Sequence, residues 1–351
     1  MVKMSWFKLF GIIGLILLFV VGCGSSDEAG GEGDGESVSE PDSETIKVAY
    51  NLPEEHAVGL FFETMADKIE EYTADTSISL EVQTFPNGQL YTDADTPDAI
   101  SMGNAHIGQL NSGFIAGDKA APLRVLDLPF LFESWDHVWA AEDGEYGRLF
   151  AQHLEEFDMK VLGWPAYGTV ELFGNFPIQV PEDIQGKKMR AFGQGASLML
   201  EEMGASPVSM SSQEIYQAVE HNTIDGFTTG PSSVVDRSLH EVSTHGSDLG
   251  LSFLSFQAVA NIEWFNNLPE DVQDAVQKAA DEAEEVNRET VFESEQKYKD
   301  ELAELGVELY QATDEELELW REGASSRYES YRENAGEDGE EFLNAVEEAK
   351  Q

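Results

Sequence analysis

The sequence predicts an α/β protein built as two lobes. Extended and helical patterns alternate from residue 46 onward, as in sheets flanked by helices. That region exceeds the roughly 250–300 residues beyond which one hydrophobic core stops growing. Two long extended runs, 159–164 and 251–261, are placed to cross from one lobe to the other.

Taken in order, 46–51 reads as a strand and 59–72 as an amphipathic helix with Leu60, Phe61, Met65 and Ile69 on one face. Residues 78–85 alternate apolar and polar and form the next strand, closed by a turn at Pro86, Asn87 and Gly88. A helix over 96–102 stops at Gly103, a C-terminal cap signal. A short buried strand over 106–110, a continuous apolar run over 125–132 (VLDLPFLF), a helix over 135–154 and the strand 159–164 follow. Strands are expected at 173–178, 188–192, 206–210 and 223–228, with a helix over 213–221. After the extended run 251–261 comes an almost unbroken helix pattern over 269–305, a last strand at 307–310 and an acidic helical tail over 314–349. The expected division is 46–163 plus about 253–290 for the first lobe, and 164–252 plus about 291–351 for the second.

The chain ahead of the lobes has a different character. Lys3 and Lys8 precede an apolar stretch from Phe10 to Val21, which ends in Gly22 and the only cysteine, Cys23. That order is the layout of a secretory signal peptide, and the stretch is shorter than the roughly 20 residues a membrane-spanning helix needs. A cysteine at the cleavage point resembles a bacterial lipobox, so 1–22 is read as a lipoprotein signal and Cys23 as the acylated residue. Residues 24–45 are rich in Gly, Ser, Asp and Glu, with too little to bury to offset their ordering entropy, and are read as a flexible tether. The expected location is extracytoplasmic, anchored to a membrane by lipid.

Asp plus Glu number 68 against 20 Lys plus Arg, a formal net charge of -48. Such a field excludes binding to nucleic acid or anionic lipid through general electrostatics. The acids are spread along the chain, the pattern of a surface adapted to high salt. The motifs of metalloproteases, serine hydrolases, P-loop enzymes and dinucleotide-binding folds are absent. The seven histidines fall at no metal-ligand spacing, and no cofactor is expected. Scarce cations gather in one place: Lys187, Lys188 and Arg190, ahead of the loop Gly193-Gln194-Gly195. An arginine at the carboxyl end of a strand can grip a carboxylate with its planar fork. A surface salt bridge is the plainer alternative at this point.

Residues 181–190 (PEDIQGKKMR) resemble the signature of the solute-binding subunit of tripartite ATP-independent periplasmic (TRAP) transporters of the DctP type. Five further stretches agree in the same order: 85–90 (FPNGQL), 126–132 (LDLPFLF), 213–218 (QEIYQA), 224–226 (IDG) and 267–273 (NLPEDVQ). The resemblance implies a two-lobe, class II periplasmic-binding-protein-like fold with crossing strands and a long helix spanning both lobes. It implies a receptor, not an enzyme, that closes on a small organic acid and delivers it to a sodium-driven membrane permease. A ligand-sensing receptor or a secreted enzyme on a related scaffold are the alternatives. The family's carboxylate-gripping arginine falls on Arg190. Its second arginine is replaced by Glu171, which would repel a second carboxylate, favouring a monocarboxylate, or hold a cation beside the acid; a solvent-exposed Glu171 is the alternative. Where many members place an amide, this chain has Thr229. Asn51 and His56 after the first strand, Asn111 and Ser112 after the third, Trp164 and Tyr167 near the crossover, and Phe192 and Gln194 beside Arg190 complete the candidate cleft.

Overall fold

The computed structural model describes residues 42–350. The signal-peptide reading of 1–22, Cys23 and most of the tether lie outside the described residues. The first half of the body comprises β1 (Asp42–Ala49), α1 (Ala57–Thr73), β2 (Ile78–Phe85), α2 (Thr96–Ser101), β3 (Ile107–Leu110), α3 (Trp135–Glu142), α4 (Glu145–Glu155) and β4 (Met159–Gly163). It continues through β5 (Ala166–Gly174), β6 (Lys188–Ala191), α5 (Gln194–Glu202), β7 (Ser206–Ser209), α6 (Ile215–Glu220), β8 (Gly226–Thr229) and α7 (Pro231–Asp236). The last elements are β9 (His245–Ser255), β10 (Gln257–Asn261), α8 (Ile262–Asn267), α9 (Glu270–Glu304), β11 (Glu308–Gln311) and α10 (Asp314–Glu348).

Two mixed sheets result. The first has strand order β2-β1-β3-β10-β4, the second β11-β9-β5-β8-β6-β7. Each carries a parallel core closed by antiparallel strands, β10 in the first and β5 in the second. The chain passes between them directly from strand to strand twice, from β4 through Trp164 and Pro165 into β5 and from β9 through Phe256 into β10, and α9 carries it across again to β11. The two direct passages are tied to each other where Phe256 N–H donates to Pro165 O at 2.9 Å. Helix α9 runs 35 residues, or about 52 Å at 1.5 Å per residue. It packs on α1 and β4 of the first sheet's side and on α7 and β11 of the second's.

Several expectations need correction. The first strand starts at Asp42 rather than at residue 46, because Asp42 to Thr45 pair with Ile78 to Glu81 of β2; four residues read as tether are therefore sheet. The strand expected at 173–178 lies at Ala166–Gly174. All nine of its residues are buried, so it shows none of the alternation that reveals a half-exposed strand. The helix read over 135–154 is broken at Asp143-Gly144, where Gly144 is extended (φ -105°, ψ -151°) and starts α4. The apolar run 125–132 begins inside a buried 3-10 helix, Pro122–Asp127. Helix α10 kinks at Gly336 (φ 62°, ψ -138°). Trp320 packs with Ile184 and Leu200, whereas Tyr331, ahead of the kink, and Phe342 and Val346, beyond it, join Leu123 and Phe150.

Candidate functional site

A small cavity lies between the sheets, at the carboxyl ends of β1, β3 and β6. This is the edge at which open α/β sheets take ligands. Asn51, Gln109 and Asn111 line it from the first sheet, and Tyr167, Val170, Arg190, Phe192 and Thr229 from the second. Asp93, Ser212, Ser233 and Arg237 come from turns and helix ends, and Leu254 and Phe256 from the second crossover.

Arg190 is 2% exposed, a burial that pulls its guanidinium down to about 10 through desolvation, with Asp93 opposing. Strand β6 lies between β8 and β7, and that frame holds the fork. Nε donates to Met210 O (3.0 Å) and Nη1 to Thr228 O (2.9 Å). Nη2 is buried with no hydrogen-bond partner; the nearest anion is Asp93 Oδ2 at 3.8 Å. Phe192 covers one flank, its ring centre 5.9 Å from Arg190 Cζ. An oriented guanidinium with one free donor in a water-poor cavity is suited to an acceptor oxygen from a ligand, a carboxylate above all.

Beside Arg190 the same sheet presents a hydroxyl-rich wall. Tyr167 Oη donates to Ser233 Oγ (2.8 Å), accepts from Gly230 N–H (3.0 Å) and lies 3.4 Å from Thr229 Oγ1. Asn111 caps a 3-10 turn by accepting from Gly113 N–H at 3.0 Å. The two sheets also meet directly across the cavity mouth. Asp93 accepts from Ser212 N–H (3.1 Å), Gln213 Nε2 donates to Asn51 Oδ1 (2.9 Å), and Arg237 Nη2 donates to Asn51 O (2.6 Å). The arrangement is that of a closed cleft.

Of the residues expected there, Arg190, Phe192, Thr229, Tyr167, Asn111 and Asn51 line the cavity, and Glu171, Trp164, Gln194 and His56 do not. Glu171 neither faces the cavity nor reaches solvent. Val170 faces the cavity, but the pairing of β5 with β9 slips between Val170 and Leu172, and the Glu171 side chain turns to the backbone of β9. There Glu171 is fully buried and accepts from Leu249 N–H (2.8 Å) and Gly250 N–H (3.1 Å). Burial, with Asp248 nearby, raises its carboxyl to about 8. Trp164 packs on Phe150 behind the crossover (ring centres 5.2 Å). Gln194 is exposed and accepts from Arg124 Nη2 at 2.6 Å. His56 caps α1, accepting from Val58 N–H (3.1 Å), and stacks behind Tyr167 at 5.4 Å; burial, with Arg237 nearby, pulls it down to about 3, so it stays neutral. Ser112 also lies off the cavity.

Sequence reasoning missed Asp93, Gln109, Ser212, Ser233 and Arg237. Two carried a usable signal: Arg237 is one of only 20 cations, and Asp93 lies in the loop that follows the second strand, at a ligand-bearing edge. Among the described residues no group of three or more His, Cys, Asp or Glu could hold a metal ion.

Two α/β sheets joined by crossing strands around a closed, arginine-bearing cavity define a solute-binding protein. The chain belongs to the DctP family, the bacterial extracellular solute-binding proteins of family 7, whose model matches residues 48–334. The class that the sequence motifs implied is therefore the class found, and it is one of transport proteins, not enzymes. The C4-dicarboxylate-binding periplasmic protein DctP of Rhodobacter capsulatus is 27% identical over 225 residues, 63% of this chain and 65% of that relative. Among solved structures, a TRAP periplasmic solute binding protein from Sulfitobacter sp. NAS-14.1 with bound β-D-galacturonate superposes with a TM-score of 0.80 at 23% identity, covering 87% of this chain and 100% of that one. One from Shewanella oneidensis with bound succinate gives 0.80 at 21% identity, covering 89% and 100%.

Proposed function

We propose that this protein captures a small organic acid, a hydroxylated monocarboxylate, and hands it to a TRAP-type sodium-driven permease. The unpartnered Nη2 of the otherwise fixed Arg190 carries the reading. In this reading the ligand carboxylate takes that donor, Phe192 packs on its flank, and Tyr167, Thr229 and Asn111 address hydroxyls. Glu171 no longer supports a monocarboxylate, since it faces away. Support comes instead from the charged groups that do line the cavity: Arg190 and Arg237 against Asp93, a net of one positive charge that a single carboxylate balances. Relatives are named for both kinds of ligand, C4-dicarboxylates in one and galacturonate in another. The test is calorimetric titration with a panel of aldonates, uronates, hydroxy acids and dicarboxylates. Tightest binding by a hydroxylated monocarboxylate is expected, and a panel in which no acid binds would sink the proposal. The two lobes that close are assigned to the two sheets, with α9 and the kinked α10 shared between them.

The receptor is further proposed to be held outside the cytoplasmic membrane by acylation of Cys23, through the tether that follows it. Palmitate label is expected on the wild-type chain in its host and absent from Cys23→Ser; label persisting in that variant refutes the anchor. The net charge of -48 motivates a salt-adapted surface. The Debye length falls from about 30 Å at 0.01 M to about 3 Å at 1 M ionic strength, relieving self-repulsion in the compact state. The melting temperature is accordingly expected to climb between 10 mM and molar NaCl, and a flat profile disproves the adaptation.

A further inference from the structure

We propose that Asp93 sets the charge of the ligand: it is a built-in counter-anion that makes the cavity select monoanions over dianions. The inference rests on the carboxylate reading of the same cavity and adds the residue that enforces its selectivity.

Asp93 is 7% exposed and lines the cavity in the turn ahead of α2. Its Oδ2 stands 3.8 Å from Arg190 Nη2. That is close enough for a strong Coulomb interaction in a desolvated site and too far for a hydrogen bond. The gap leaves Nη2 unpartnered, so a ligand oxygen that takes this donor must settle beside an aspartate. The position is fixed, because both Asp93 oxygens lie within hydrogen-bonding reach of Ser212 N–H (3.1 and 3.3 Å) from the other side of the cleft. The second cation, Arg237, is turned toward the first sheet through Asn51 O (2.6 Å) and keeps a buried, unpartnered Nε. Its neighbour Asp236 points away, 3.5 Å from Tyr298 Oη. The remaining polar lining is neutral: Asn51, Gln109, Asn111, Tyr167, Ser212, Thr229 and Ser233. A ligand of charge -2 feels the two guanidiniums and the Asp93 carboxylate twice as strongly as one of charge -1, so by lowering the lining from two positive charges to one Asp93 removes more attraction from the dianion than from the monoanion.

Asp93→Asn keeps an oxygen for Ser212 N–H and removes only the charge; Asp93→Ser is a second, smaller neutral variant. Affinities are measured by calorimetry for two matched pairs, gluconate with glucarate and succinamate with succinate, each pair sharing a carbon skeleton and differing by one carboxylate. In both variants the ratio of dianion to monoanion affinity is expected to rise about tenfold or more over wild type, with melting temperatures confirming the fold. If Asp93 serves only to latch the lobes, both members of a pair weaken by the same factor; that constant ratio overturns the inference while leaving the carboxylate reading intact. A wild type that binds no acid of the panel overturns both.

Discussion

Arg190→Ala is expected to weaken binding of the preferred acid by several hundredfold. Truncating one partner of a buried, hydrogen-bonded charge pair costs about 2–5 kcal/mol, and every 1.4 kcal/mol is tenfold in Kd. This guanidinium belongs at the upper part of that range for two reasons. It is already oriented by Met210 O and Thr228 O, so the ligand need not immobilise it. Its removal also leaves Asp93 beside the ligand carboxylate with no cation between them. Arg190→Lys retains the charge but lacks the planar fork. It cannot reach both carbonyls and the ligand at once, and is expected to fall between wild type and alanine. The same carbonyls lose their donors in Arg190→Ala, so some stability goes too, and a melt separates that loss from binding. An Arg190→Ala protein that folds and binds within threefold of wild type would show that the carboxylate lies elsewhere.

The sequence made Arg190 visible because its setting is local. A cation-rich strand, a glycine loop and a contiguous motif all lie within residues 181–195. Helices α1 and α9 and strand β2 were equally legible, since each buries one face and exposes the other. Strand β5 was not, and the misplacement of Glu171 follows from it. In a strand buried on both sides, polar Thr169 and Glu171 break the apolar run without marking an exposed face, and nothing in the pattern says which way either points. Thr169 in fact donates to Glu295 Oε1 on α9 at 3.0 Å, and Glu171 holds the backbone of β9. Asp93, Ser212 and Arg237 were hidden for another reason. They sit in a turn, a 3-10 helix and a helix cap, which carry no periodicity, and they converge only when the two sheets meet. The sequence could therefore name the residue that grips a carboxylate but not those that tune what accompanies it.

Asn287→Leu is expected to destabilise the protein by about 3 kcal/mol while leaving affinity per folded molecule within a few-fold of wild type. Asn287 is fully buried on α9 and connects three elements. Its Oδ1 accepts from Ala166 N–H (2.7 Å), and its Nδ2 donates to Ala57 O (3.0 Å) and Ala166 O (3.1 Å). Ala166 opens β5 directly after the crossover, and Ala57 opens α1, so one amide pins the long helix to a passage between the sheets. Leucine is apolar and cannot replace any of these bonds. Each buried backbone group left short of a partner costs about 1–3 kcal/mol, with the carbonyls at the low end because each has a second lone pair. At roughly 2–4 °C per kcal/mol for a chain of this size, the melting temperature should fall by about 6–12 °C. Asn287→Asp sharpens the test. It preserves the Oδ1 acceptor for Ala166 N–H but turns a carboxylate oxygen toward two carbonyls, and should cost at least as much as leucine despite its near-identical shape. A melting temperature within about 2 °C of wild type for both variants would mean that the amide bonds are not what holds α9 against the crossover.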